Sequence, residues 1–109
     1  MKEEITSMIT RIVKITLQQD KIEDFMQVFR EVKDTIADFD GCHHVELLED
    51  IHSPNVVFTY SICEDEHYLN LYRFSEFFKN TWDRSKKLFS KKAEAWSVKL
   101  IERAQSSSF

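Results

Sequence analysis

The sequence predicts an α+β domain with element order β-α-β-β-α-β, and three observations carry that prediction. Apolar residues alternate over residues 8–17, 42–51, 56–63 and 95–103, the period-two pattern of strands. They recur at three- and four-residue spacing over residues 20–39 and 76–89, the pattern of helices with one buried stripe. A single Gly and a single Pro in 109 residues exclude collagen-like, linker-like and loop-rich scaffolds.

In the first strand, Ile9, Val13, Ile15 and Leu17 share one face and Met8 and Ile12 the other, with Arg11 interrupting the apolar series. A strand with apolar residues on both sides needs cover on both. In the first helix, Ile22, Phe25, Met26, Phe29, Val32, Ile36 and Phe39 form the stripe. Asp20 followed by Glu23 reads as a capping box at its start. Gly41 falls where a left-handed residue stops the helix. In the second strand Val45, Leu47 and Ile51 face one way and His44, Glu46, Leu48 and Asp50 the other. His52-Ser53-Pro54-Asn55 reads as a turn, so the second and third strands form an antiparallel hairpin. Glu64-Asp65-Glu66 is an acidic helix start, which the helix dipole favours, continued by Leu69, Tyr72 and Phe74. Ser75 reads as a second cap that breaks this helix in two, with Phe78, Trp82, Ser85 and Phe89 striping the second part. In the last strand Trp96, Val98 and Leu100 alternate with Ala95, Ser97, Lys99 and Ile101.

That order is the split βαβ, or ferredoxin-like, arrangement: a four-stranded antiparallel sheet with helices on one face. One domain spans residues 1–109, with its core at 8–103 and flexible ends at 1–7 and 104–109. The second sheet face also carries apolar residues, which two copies packed sheet to sheet would cover, so a homodimer is expected.

Composition narrows the function. With one Gly no phosphate-cradling loop can be built. Two Cys make neither a disulfide framework nor a four-thiolate zinc site, and Cys42 and Cys63 are expected to be reduced and simply buried. No apolar run approaches 18 residues and the start shows no secretory signal, so a cytoplasmic protein without a membrane partner is expected. Residues 1–78 hold seven Lys/Arg against sixteen Asp/Glu, whereas residues 79–99 hold seven against two. This basic stretch either binds an anion or is a solvated helix end. No nucleic-acid-reading motif accompanies it, so no nucleic-acid partner is expected. His43, His44, His52 and Glu46 are the sole metal-type cluster, but adjacent strand residues point to opposite faces, so no metal site is expected.

Several segments carry a family resemblance: Met8-Ile9-Thr10-Arg11-Ile12-Val13-Lys14-Ile15, Phe39-Asp40-Gly41-Cys42-His43-His44, Phe58-Thr59-Tyr60-Ser61, Glu64-Asp65-Glu66 and Tyr72-Arg73-Phe74-Ser75-Glu76-Phe77-Phe78. Over roughly residues 8–103 the chain resembles the antibiotic biosynthesis monooxygenase superfamily of dimeric α/β barrels. The resemblance implies a dimer and, in part of the superfamily, oxidation of quinols or anthrones without metal or flavin. Quinol-oxidising members typically have Trp and two His where this chain has Cys63, Tyr72 and Phe77. Haem-degrading members need Asn, Trp and a ligand His where it has Arg11, Tyr72 and Trp82, so the resemblance does not extend to haem chemistry.

The function expected from this combination is cofactor-independent oxidation, by O2, of a small aromatic or quinol-like compound. The alternative is a non-catalytic small-molecule-binding or stress-related homodimer on the same fold. Such an oxygenase needs an apolar pocket, a base and a donor for the developing oxyanion. His44 is the base candidate, since imidazole titrates near neutrality, although it equally suits a half-exposed strand start. Tyr60 and Tyr72 offer hydroxyl donors, or pack as core aromatics. Arg11, on an apolar face, requires an anion, supplied by a ligand or by a carboxylate such as Glu46. Trp82, Phe78 and Phe25 would shape the pocket, or simply fill the core.

Overall fold

The alternating first segment forms strand β1 (Ile9–Thr16), the central member of the sheet. The computed structural model describes residues 8–104; of the expected flexible ends at 1–7 and 104–109, all but Ala104 lie outside the described residues. After β1 come helix α1 (Ile22–Ala37), strands β2 (Cys42–Asp50) and β3 (Ser53–Cys63), helices α2 (Glu66–Arg73) and α3 (Glu76–Lys86), and strand β4 (Glu94–Val98). The strands are ordered β2-β3-β1-β4 and every pairing is antiparallel. This is the ferredoxin-like topology expected from the sequence.

Register assigns the faces. Arg11 pairs with Ser61 and Ser97, and Val13 with Thr59 and Ala95. These residues, with Val45, Leu47 and Val57, look toward the helices. Ile12 pairs with Tyr60 and Trp96, and Tyr60 with Glu46, so these occupy the outer face. Toward the helices two clusters are buried. One joins Ile15, Leu17, Phe25 and Val57; the other joins Cys42, Cys63 and Leu69 and is covered by Ile9, Phe39 and Tyr72.

Local details depart from the sequence reading at five places. Asp20 makes no capping bond: it lies in a 3-10 turn (Gln19–Lys21) through which the chain enters α1, closed by Lys21 N–H donating to the Gln18 carbonyl at 3.0 Å. The hairpin turn is tighter than expected. The Asp50 carboxylate accepts from the His52 and Ser53 N–H groups at 2.8 and 3.1 Å, an Asx turn that lets Ser53 pair directly with Asp50. Pro54 then sits in a register irregularity near the start of β3, where its missing N–H is tolerated, and Ile51 is thrown out to solvent. Helix α3 stops at Lys86 rather than Phe89, since Leu88 and Phe89 turn back to donate to Ser85 and Lys86. Strand β4 ends at Val98 because Val98 already pairs with Thr10 at the start of β1; Ile101 beyond it is exposed.

The fifth departure concerns the cysteines, which are not free thiols. Cys42 and Cys63 are bonded to each other, because the β2–β3 register places them directly opposite on the helix-facing side. The bond closes the hairpin at the end away from its turn.

Two helix caps fall where the sequence placed polar residues. Asp65 accepts from Tyr68 N–H at 3.1 Å and Ser75 from Phe78 N–H at 3.0 Å. The Ser75 hydroxyl also donates to the Tyr72 carbonyl at 2.7 Å, which ties α2 to α3. Gly41 has φ +76°, and a Cβ there would overlap the Tyr68 ring. Its carbonyl accepts from Glu64 N–H at 2.7 Å. Gly41→Ala therefore combines left-handed strain with overpacking, and is expected to destabilise the fold by about 2–4 kcal/mol. Urea denaturation of the variant beside the parent measures this directly.

Candidate active-site cavity

Short side chains on the sheet floor leave space beneath the helices. Val13, Thr59, Ser61, Val45 and Ala95 face α1, α2 and α3, and the cavity between them holds about 310 Å3. It runs between the two buried clusters, with Ile15 and Phe25 at one end and Leu69 and Tyr72 at the other. Its helical wall belongs to a continuous aromatic row. Phe39 meets Tyr72 edge-on at 5.2 Å, Tyr72 meets Phe78 at 5.1 Å, Phe78 stacks on Trp82 at 5.8 Å, and Trp82 meets Phe89 at 5.4 Å. A more open depression shares Arg73, Phe78 and Trp82 with the cavity and reaches Lys79 and Asp83 at the surface.

The polar groups of this cavity are donors or neutral. Arg11 rises from β1 between Ser61 and Ser97, and its Nη1 donates to Ser97 Oγ at 2.8 Å. Burial, and secondarily the charge of Arg73, hold its pKa below the usual guanidinium value. Arg73 ends α2, where a cation suits the helix dipole, and its guanidinium lies 5.6 Å from the centre of the Phe74 ring. The Tyr72 hydroxyl is kept neutral by burial, which pushes its pKa up to about 12. Buried Ser85 spends its hydroxyl on the Thr81 carbonyl at 2.8 Å. Among the described residues no Asp, Glu or His lines the cavity.

Of the residues expected at a site, Arg11, Tyr72, Trp82, Phe78 and Phe25 all line this one space. His44 and Tyr60 do not. They sit on the outer face, where His44 Nε2 lies 3.0 Å from Glu46 Oε2 and its ring meets Tyr60 edge-on at 6.1 Å. Strand alternation is the reason, because Val45 takes the inward position on β2. Glu46 is thereby also removed as an internal partner for Arg11. His43 contacts Glu64 at 2.5 Å on the surface. Among the described residues no group of three or more His, Cys, Asp or Glu could hold a metal ion. Arg73 was missed by the sequence reading, although it lies one helical turn after buried Leu69 and so on the same face. Thr59 and Ser61 were missed too. They were detectable as small polar residues on the face that also carries Val57 and Cys63.

A ferredoxin-like sheet roofed by helices, with an aromatic-walled cavity between the layers, defines the class of protein. The sequence model of the antibiotic biosynthesis monooxygenase family matches residues 8–84, and the chain belongs to that family. No curated protein matches it significantly. Among solved structures it is similar to a conserved protein from Methanosarcina mazei Go1, with TM-score 0.85 and 16% identity over 91% of this chain and 98% of that one. It is also similar to a protein from Bordetella bronchiseptica provisionally named an antibiotic biosynthesis monooxygenase, with TM-score 0.79 and 20% identity over 88% and 99% of the two chains. Rv0793 from Mycobacterium tuberculosis aligns with TM-score 0.81 and 14% identity over 91% and 100%. At these identities the likeness is one of fold. Among the described residues no helix is long and apolar enough to cross a membrane.

The raised Tyr72 pKa has a defined consequence. The unfolded phenol ionises near pH 10 and the folded one near pH 12. Stability from the neutral buried phenol is therefore complete below pH 10 and is lost as pH rises toward 12, by about 2–3 kcal/mol. In ultraviolet titration the parent is expected to show a phenolate step near pH 12 that is missing in Tyr72→Phe.

Proposed function

We propose that this chain is a monooxygenase that oxidises a small aromatic or quinol-like compound with O2 inside the cavity. The observation that carries this reading is the meeting of Arg11, Tyr72 and the Phe78–Trp82 wall in one cavity. Its volume lies at the lower end of the usual range for small-molecule sites, about 300–1,000 Å3. The aromatic wall orients a planar ring. Arg11 and the neutral Tyr72 hydroxyl stabilise the anion formed when the substrate loses a proton, and between the protein layers each is worth more than on an open surface. That electron-rich anion reduces O2. Taking a benzene-1,4-diol as the case, diol plus O2 gives a hydroxyquinone plus water: one oxygen atom enters the ring, the other leaves as water, and the substrate supplies all the electrons. No cofactor is needed for this balance.

With no Asp, Glu or His among the described residues that line the cavity, the proton leaves to solvent or to hydroxide, and the protein's part is to lower the substrate's own pKa. The same feature favours a second reading, a dimer that binds a small molecule without turning it over. Oxygen consumption with a panel of hydroquinones separates the two. Turnover that falls at least tenfold in Arg11→Gln and in Tyr72→Phe, about 1.4 kcal/mol each, supports the enzyme; retained ligand with no oxygen uptake supports the binding protein. His44→Ala belongs in the same series, since loss of turnover there would return the general base to His44.

A second copy of the chain is proposed to cover the outer sheet face. Ile12, Phe58, Tyr60 and Ile62 are half-buried there, while Leu48, Trp96 and Val98 are each about 45% exposed. On this reading His44 and Tyr60 belong to the interface. Trp96→Glu is expected to shift sedimentation from dimer toward monomer, and a parent protein that sediments as a monomer overturns the assignment. The bonded Cys42–Cys63 pair bears on the cytoplasmic expectation. A reducing cytoplasm would hold the two as thiols, so the bonded form belongs to an oxidising compartment or to an oxidised state of a cytoplasmic protein.

A further inference from the structure

We propose that the ligand of this cavity is an anion of a specific kind: a planar aromatic carboxylate, its carboxylate held between Arg11 and Arg73 and its ring against Phe78 and Trp82. The inference rests on the reading of the cavity as a ligand site, and is independent of whether the ligand turns over.

The charge balance of the cavity is the starting observation. Among the described residues its lining includes two arginines, Arg11 and Arg73, and no acidic residue. On the helix surfaces the pattern is the opposite: Arg30 meets Glu23 at 2.9 Å and Arg84 meets Glu31 at 2.9 Å. Among the described residues Arg11 and Arg73 have no such partner. Arg11 is satisfied on one side by the neutral hydroxyl of Ser97, and Arg73 leans on the exposed ring of Phe74. Glu46, the acid best placed by sequence to neutralise Arg11, lies on the other side of the sheet against His44. Two like charges lining one cavity repel each other, and a bound anion reverses the sign of that interaction. A carboxylate suits the planar forks of two arginines better than a point-like ion does.

The rest of the wall excludes a bare inorganic anion as the intended ligand. Beyond the arginines, the space is bounded by Phe25, Val32, Phe78 and Trp82. A phosphate or sulfate would leave that apolar volume unfilled. An aromatic acid fills both parts, with the ring oriented by the Phe78–Trp82 stack. Arg73 also lies in the open depression that joins the cavity to the surface, so it meets an incoming anion before Arg11 does.

The test is calorimetric titration of the parent protein with 2-naphthoate, its neutral isostere 2-naphthamide, and inorganic phosphate. Expected is at least tenfold tighter binding of the acid than of the amide, no measurable binding of phosphate at the same concentrations, and weakening of naphthoate as salt is raised. Arg73→Gln, at a helix end, is expected to remove most of the preference for the acid, so that acid and amide bind with similar affinity. Arg11→Gln is expected to do the same, with its melting temperature recorded to verify folding. Equal affinity for acid and amide overturns the anion assignment while leaving the cavity as an aromatic site. Phosphate binding as tightly as naphthoate overturns the aromatic acid in favour of a plain anion site. If neither naphthalene compound binds, the reading of the cavity as a ligand site falls, and this inference falls with it.

Discussion

Strand β1 is hydrogen-bonded along both edges, to β3 and to β4, and its alternation assigns its neighbours to one of two faces. Once Arg11 points toward the helices, Ser61 and Ser97 must do so too, and Ile12, Tyr60 and Trp96 must point away. A slip of one residue would exchange the two sets. Arg11 would then face outward and Ile12 would occupy the place beneath α1. The chemistry inside and the apolar surface outside are consequences of the same register.

The second constraint is the junction at the far end of the hairpin. Gly41, the Cys42–Cys63 bond and the Asp65 cap lie within a few residues of one another in space. The Gly41 carbonyl takes the Glu64 N–H while Tyr68 closes over the glycine. This fixes where α2 begins, and α2 carries Leu69, Tyr72 and Arg73. The Ser75 hydroxyl then holds the end of α2 against the start of α3, which carries Phe78 and Trp82. The wall and the charged rim of the cavity are thus positioned by groups that do not themselves touch its contents.

Between these two constraints the cavity combines features that are costly separately. A guanidinium half out of water loses hydration, and two of them repel. A phenol drawn largely out of water resists ionising, so Tyr72 is held in its neutral form. Both features persist in a space whose floor is made of short side chains rather than filled by long ones. Packing to native density would have needed only larger apolar residues at Thr59, Ser61 or Ala95.

Much of this was open to inspection in the chain alone. Period-two and period-three-to-four patterns placed the four strands and helices α1 and α3, though not all of their ends, the acidic start at Glu64-Asp65-Glu66 marked α2, Gly41 and Ser75 marked real breaks, and Arg11 stood out on an apolar strand face. Those features are local, set by backbone geometry and the spacing of apolar residues. The Asx turn at Asp50 and the early end of β4 depended on which backbone groups found partners, and the Cys42–Cys63 bond depended on register across the hairpin. The site needed more than local pattern. His44 and Arg11 each looked suited to catalysis by residue type, but only the paired sheet decides that Arg11 shares a space with Tyr72 and Arg73 while His44 faces away. Sequence determined which residues alternate; tertiary structure decided which alternate faces meet, because faces are set by pairing between segments dozens of residues apart.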